Sequence, residues 1–141
     1  MKKTKFFNQV ERKWVIIDAK DKILGRLASR IAIILQGKDK PTYSPNFLCG
    51  DVVIVINAKY IKVTANKYED KIYDKYTGFP SGRKEISLKL LMGKNPILAL
   101  AMAVKGMLPK NNLGRDMFKS LKIYPEGIHK HQAQKPQVLS I

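Results

Sequence analysis

Asp51-Val52-Val53-Ile54-Val55-Ile56-Asn57 is an unbroken run of β-branched apolar residues held between two polar ones. A run with no polar alternation suits a strand covered on both faces, the situation of a central strand in a parallel sheet. Upstream, Trp14-Val15-Ile16-Ile17-Asp18 has the same character. Between the two, Leu24, Leu27, Ala28, Ile31 and Leu35 recur at helical spacing, and Gly37 sits where a helix stop belongs. Pro41 and Pro45 then carry the chain through a loop. Strand, helix, loop and strand make a βαβ unit, whose crossover joins parallel strands with right-handed geometry. The fold class is therefore α/β, a single three-layer domain with a small, mainly parallel central sheet flanked by helices.

A third strand falls either at Ile61-Lys62-Val63-Thr64 or at Lys71-Ile72-Tyr73-Asp74-Lys75-Tyr76, both polar enough for an edge strand or a loop. Thr77-Gly78-Phe79-Pro80-Ser81-Gly82-Arg83 is rich in turn formers. Ser87 to Met92 suits a short helix. Asn95-Pro96 supplies a cap and a first helical residue for the next, which runs to about Met107 and is so apolar that it reads as buried core. In a further helical segment Leu113, Met117 and Leu121 form one stripe and Arg115, Lys119 and Lys122 another. The expected organisation is one domain over 1–141, with a basic arm at 1–13, an α/β core at 14–125 and an extended tail at 126–141.

Lys and Arg number 27 against 11 Asp and Glu, a net charge of +16 over 141 residues. Acidic residues are too few to answer the basic ones pairwise along helices, so basic faces stay cationic and the natural partner is a polyanion. A charge stripe is ordinarily just a solvated face, and it is this unanswered excess that favours binding. Arg26 and Arg30 beside the first helix, Lys38 and Lys40 after it, and Arg115, Lys119 and Lys122 each read as phosphate contacts. Tyr43, Tyr68, Tyr73, Tyr76 and Phe79 are interleaved with lysines, where they divide between stacking on exposed bases and packing inside.

Several other classes are disfavoured. The apolar run Ile97–Val104 is far short of the roughly 20 residues of a spanning helix, and Met1-Lys2-Lys3-Thr4-Lys5-Phe6-Phe7 leads into polar residues instead of a signal-peptide core. Cys49 is the only cysteine, which excludes an internal disulfide and thiolate zinc sites and points to a reducing compartment. The Gly-rich phosphate loop is absent, since Gly37-Lys38 is followed by Asp39. Asp18 and Asp51 fall at opposite ends of adjacent parallel strands and so cannot share a metal ion; Asp18 instead suits the turn into the first helix. His129-Lys130-His131 lacks metal-ligand partners and fits hydrogen bonding and stacking on RNA better. Neither a cofactor, a metal nor a small-molecule substrate is expected.

The stretches Trp14–Ala19, Leu24-Gly25-Arg26-Leu27-Ala28-Ser29, Gly50–Ala58, Ala103-Val104-Lys105-Gly106-Met107-Leu108-Pro109-Lys110-Asn111 and Leu113-Gly114-Arg115, with His131-Gln132-Ala133-Gln134 and Pro136, occur in one order across the whole chain. Together they resemble the family of the thirteenth protein of the large ribosomal subunit, bacterial or organellar type. The resemblance implies a non-enzymatic structural constituent of that subunit, which binds large-subunit ribosomal RNA and supports early assembly beside neighbouring ribosomal proteins. Its place would be the ribosome of the cytoplasm or of an organelle. Carried over by position, it implies RNA contacts for Arg26, Lys105, Lys110, Asn111, Arg115, His129 and His131. In the loop 76–82, Tyr76 stands where the family usually has histidine and Ser81 where it has glycine. Ala65 likewise replaces a usual glycine, and Lys130 a usual proline.

Overall fold

The computed structural model of the chain describes residues 11–140; positions 1–10 of the expected arm lie outside the described residues. Trp14–Asp18 (β1) and Val52–Ile56 (β2) pair in parallel, Trp14 opposite Val52 and Asp18 opposite Ile56, with Leu24–Gln36 (α1) as the crossover. Val15, Ile17, Val53 and Val55 join the inner residues of α1 in the main core, and Ile16 and Ile54, on the opposite face of the pleat, are buried too. Coverage of both faces is why these strands read as continuous apolar runs. Each fully buried branched side chain contributes about 1.5–3 kcal/mol of transfer free energy, so this layer dominates stability.

α1 begins without a side-chain cap. Its first orphan donor, Leu24 N–H, is instead taken by Lys62 C=O at 2.9 Å, while Lys62 N–H donates to Lys22 C=O at 2.9 Å. The 61–64 segment therefore braces the helix start and forms only an isolated bridge there. At the other end Gly37, at φ +74°, closes α1 with a left-handed residue.

After a short 3-10 turn (Ala58–Tyr60) come Lys67–Asp70 (α2) and an antiparallel hairpin of Ile72–Tyr76 (β3) and Arg83–Ser87 (β4). The 71–76 candidate is thus a strand, but of a separate two-stranded sheet. Leu88–Lys94 (α3) and Pro96–Met107 (α4) follow; Asn95 Oδ1 caps α4 as the sequence led us to expect, and Ser87, expected inside the shorter helix, instead caps α3 through Oγ. Leu88, Leu91 and Ala99 form a smaller core under the hairpin.

Two sequence expectations need correction. α4 is not buried all round: Leu98, Met102 and Met107 are 42%, 38% and 43% exposed. The last helix, Asn112–Lys119 (α5), ends before Leu121 and Lys122, which lie in Leu121–Ile123 (β5). β5 pairs in parallel with β2, and Gln137–Val138 (β6) pairs in parallel with β1. The main sheet is thus wholly parallel, in the order β5-β2-β1-β6, and flanked by helices. This is the α/β architecture expected.

Ala65 and Ser81, the two positions where a glycine is usual in the family that the sequence resembles, have φ of +55° and +59°. The left-handed turns are kept although the residues there carry a Cβ, which costs about 1 kcal/mol each. Ala65→Gly is expected to raise the unfolding free energy by about 0.5 kcal/mol, the relief of strain exceeding the added freedom of the unfolded chain. Urea denaturation showing a loss of stability would contradict this.

Candidate nucleic-acid interface

The link between α4 and α5 is a tightly constrained polar turn. Asn111 Oδ1 accepts from Gly114 N–H at 2.8 Å, capping α5. Gly114 packs so close to the preceding turn that a Cβ there would lie 1.9 Å from Pro109 O. That close approach folds Pro109-Lys110-Asn111 back over the helix start and opens a cleft of about 470 Å³. Lys105 from α4, Lys110 and Asn111 from the turn, and Arg115 and Lys119 from α5 all line it, around an apolar floor that includes Leu108 and Phe118. No carboxylate lines it among the described residues. Asp116, nearby, pairs with Lys119 at 2.8 Å, both well exposed, so the pair is worth a fraction of a kcal/mol and leaves Lys119 able to exchange partners.

The other sequence-selected residues are spread around the molecule. Arg26 and Arg30 are exposed one turn apart on α1, and Lys38 is exposed just past its end. Tyr76 ends β3 opposite Arg83 and is 67% exposed. Lys122 is half-buried on β5. His129 and His131 do not stand free in a tail. The His131 ring lies 5.2 Å from that of Trp14 and 6.1 Å from that of Tyr124, and His131 N–H donates to His129 Nδ1 at 3.2 Å. Both rings are half-buried, each with some surface left for a partner.

Lys40 is drawn inward. Its ammonium pairs with Asp51 and donates to Cys49 O and Glu11 O. Asp51 also accepts from Lys13 N–H at 2.8 Å. Arg12, read from sequence as part of the basic arm, donates through Nε to Gly50 O at 2.9 Å and through Nη2 to Ser120 Oγ. Nothing local in the sequence announces contacts 38 and 108 residues away. Asp18 does organise its turn, accepting from Lys20 N–H and from Asn57 Nδ2, both at 2.9 Å. These bonds hold its carboxyl below the usual range, the Lys20 amide contributing most. It lies at the far end of the sheet from Asp51, and no cluster of three or more His, Cys, Asp or Glu that could hold a metal occurs among the described residues.

A parallel α/β scaffold that gathers cations around one cleft has the electrostatic footprint of a ribonucleoprotein component. Comparison with known proteins agrees. The chain belongs to the ribosomal protein L13 family, whose model matches residues 12–130. The large ribosomal subunit protein uL13 of Thermoanaerobacter sp. (strain X514) is 59% identical over 133 residues, covering 94% of this chain and 93% of the relative. The uL13 protein of Thermus thermophilus is 50% identical over 139 residues, covering 99% of each, and that of Symbiobacterium thermophilum 48% identical over 143 residues, covering 100% of each. The chain is thus a structural component of the large ribosomal subunit, located in the ribosome, and not an enzyme. No helix among the described residues is long and apolar enough to cross a membrane.

Proposed function

We propose that this chain binds large-subunit ribosomal RNA through the α4–α5 cleft and supports early assembly of the subunit beside neighbouring ribosomal proteins. The observation that carries this reading is the convergence of Lys105, Lys110, Asn111, Arg115 and Lys119 on one concave surface. Phosphates entering the cleft release counterions, and the rigid turn fixes where the backbone of the RNA runs. Arg26, Arg30, Lys38 and Lys122 add cationic contacts elsewhere on the surface. Tyr76, His129 and His131 supply rings for stacking on unpaired bases. Lys40, engaged with Asp51, we assign to the fold.

Arg115→Ala is expected to weaken binding to a transcribed fragment of large-subunit ribosomal RNA about fivefold, near 1 kcal/mol. It should also reduce the slope of log affinity against log salt by about 1. Lys94→Ala, an exposed lysine outside the cleft, serves as the control. Equal losses in the two variants would reduce the interaction to diffuse charge and sink the cleft as its site. Displacement by duplex DNA as readily as by unlabelled RNA would instead favour general polyanion binding.

A further inference from the structure

A second concavity, about 690 Å³, lies between the start of α1, the α2–β3 segment and the outer face of α4. Its floor is apolar, with Val63, Tyr73, Met102 and Met107, and its rim carries Arg26, Lys67 and Lys71. No carboxylate lines it among the described residues. Gly25 and Gly106 stand in its walls, on α1 and α4, and a Cβ added to either would meet nothing within 4 Å. The chain's own packing therefore does not require glycine at either place, although a helical glycine costs up to about 1 kcal/mol relative to alanine. What the two glycines do is keep the groove wide.

We propose that this groove receives an unpaired base of ribosomal RNA, with the flanking phosphates held by Arg26, Lys67 and Lys71. Flexible, polarisable thioethers mould to a flat ring from below. Three cations with no acid in the groove favour a polyanion over an apolar peptide, and RNA is read chiefly through bases splayed out of helices. The inference rests on the RNA-binding reading above, and assigns to it a base-sized subsite apart from the phosphate-binding cleft. Lys67 and Lys71, unselected at the level of sequence, open and follow the single turn of α2, four residues apart.

The test uses the full-length chain labelled with ¹³C at its methionine methyl groups, titrated with single-stranded oligoadenylate and, separately, with an RNA duplex of equal length. The Met102 and Met107 methyl signals should shift in step with single-strand binding and stay nearly still with the duplex. Gly106→Leu, which fills the groove, should abolish those shifts and weaken single-strand binding about fivefold or more while leaving duplex binding unchanged. Met117, 3% exposed in the core, reports in the same spectra that the variant is folded. If oligoadenylate binds while both groove methyls stay put, or binds Gly106→Leu as tightly as the parent, the base site is overturned and the RNA-binding reading survives. If neither RNA binds, both fall together.

Discussion

Asp51→Ala is expected to lower the unfolding free energy by about 3–5 kcal/mol, because it strands a largely buried ammonium. Asp51 is 6% exposed, and the Lys40 side chain it faces is 18% exposed. The carboxylate also accepts from Lys13 N–H, fixing the entry into β1, so the variant loses a backbone anchor together with the pair. Cys49 O and Glu11 O remain as acceptors for Lys40 but carry no compensating charge. For a chain of this size the loss corresponds to a fall in Tm of roughly 10–20 °C. The double variant Lys40→Met, Asp51→Leu should recover much of it, since removing both charges also removes their desolvation cost. Chemical denaturation of the three variants decides the matter. A loss below about 1 kcal/mol for Asp51→Ala would mean that water already screens the pair.

Gly114→Ala should be nearly as damaging, at about 3 kcal/mol, the upper part of the range for overpacking. The added methyl would lie 1.9 Å from Pro109 O and 2.8 Å from Pro109 C, both backbone atoms that cannot rotate away. Either α5 moves off the turn or the turn lifts, and in both cases Lys110 and Arg115 lose their common cleft. RNA binding measured well below the new Tm should therefore fall along with stability. A variant that melts at the parental temperature and binds RNA with parental affinity would show that the turn relaxes freely and that the cleft does not depend on it.

Much of the scaffold was legible because its signals are local. β1 and β2 each carry an unbroken apolar run and α1 a helical periodicity, and Gly37 and Asn95 mark helix ends by chemistry that acts within a few residues. β5 and β6 were not legible, being three and two residues long. They are strands only because partners distant in sequence supply the ladder, as where Tyr124 N–H meets Val55 O at 2.8 Å and Leu139 N–H meets Ile16 O at 2.9 Å. The apolar composition of α4 led to an expectation of complete burial, yet its methionines line an open groove; composition cannot say which face has a neighbour. At the candidate site, Lys105, Lys110 and Asn111 were picked out by resemblance, Arg115 both by resemblance and by its basic stripe, and Lys119 by that stripe alone. Their convergence depends on the contact between Gly114 and Pro109, which no spacing rule reveals. Lys40 shows what a charge pattern leaves out: it is a lysine among lysines in the sequence, and the fold sets Asp51 beside it.

The position of β6 also bears on the order in which the molecule comes together. Residues 14–56 hold the two inner strands and their crossover helix, while the strands that flank them come from residues 121–123 and 137–138. On a growing chain the inner pair emerges first, with unpaired N–H and C=O groups along both margins until the distal segments arrive. Such margins invite pairing with a second nascent chain. The basic excess, already 11 Lys and Arg against 5 Asp and Glu by residue 56 and growing as the chain lengthens, then does a different service, favouring separation of two half-made sheets until each has closed its own flanks.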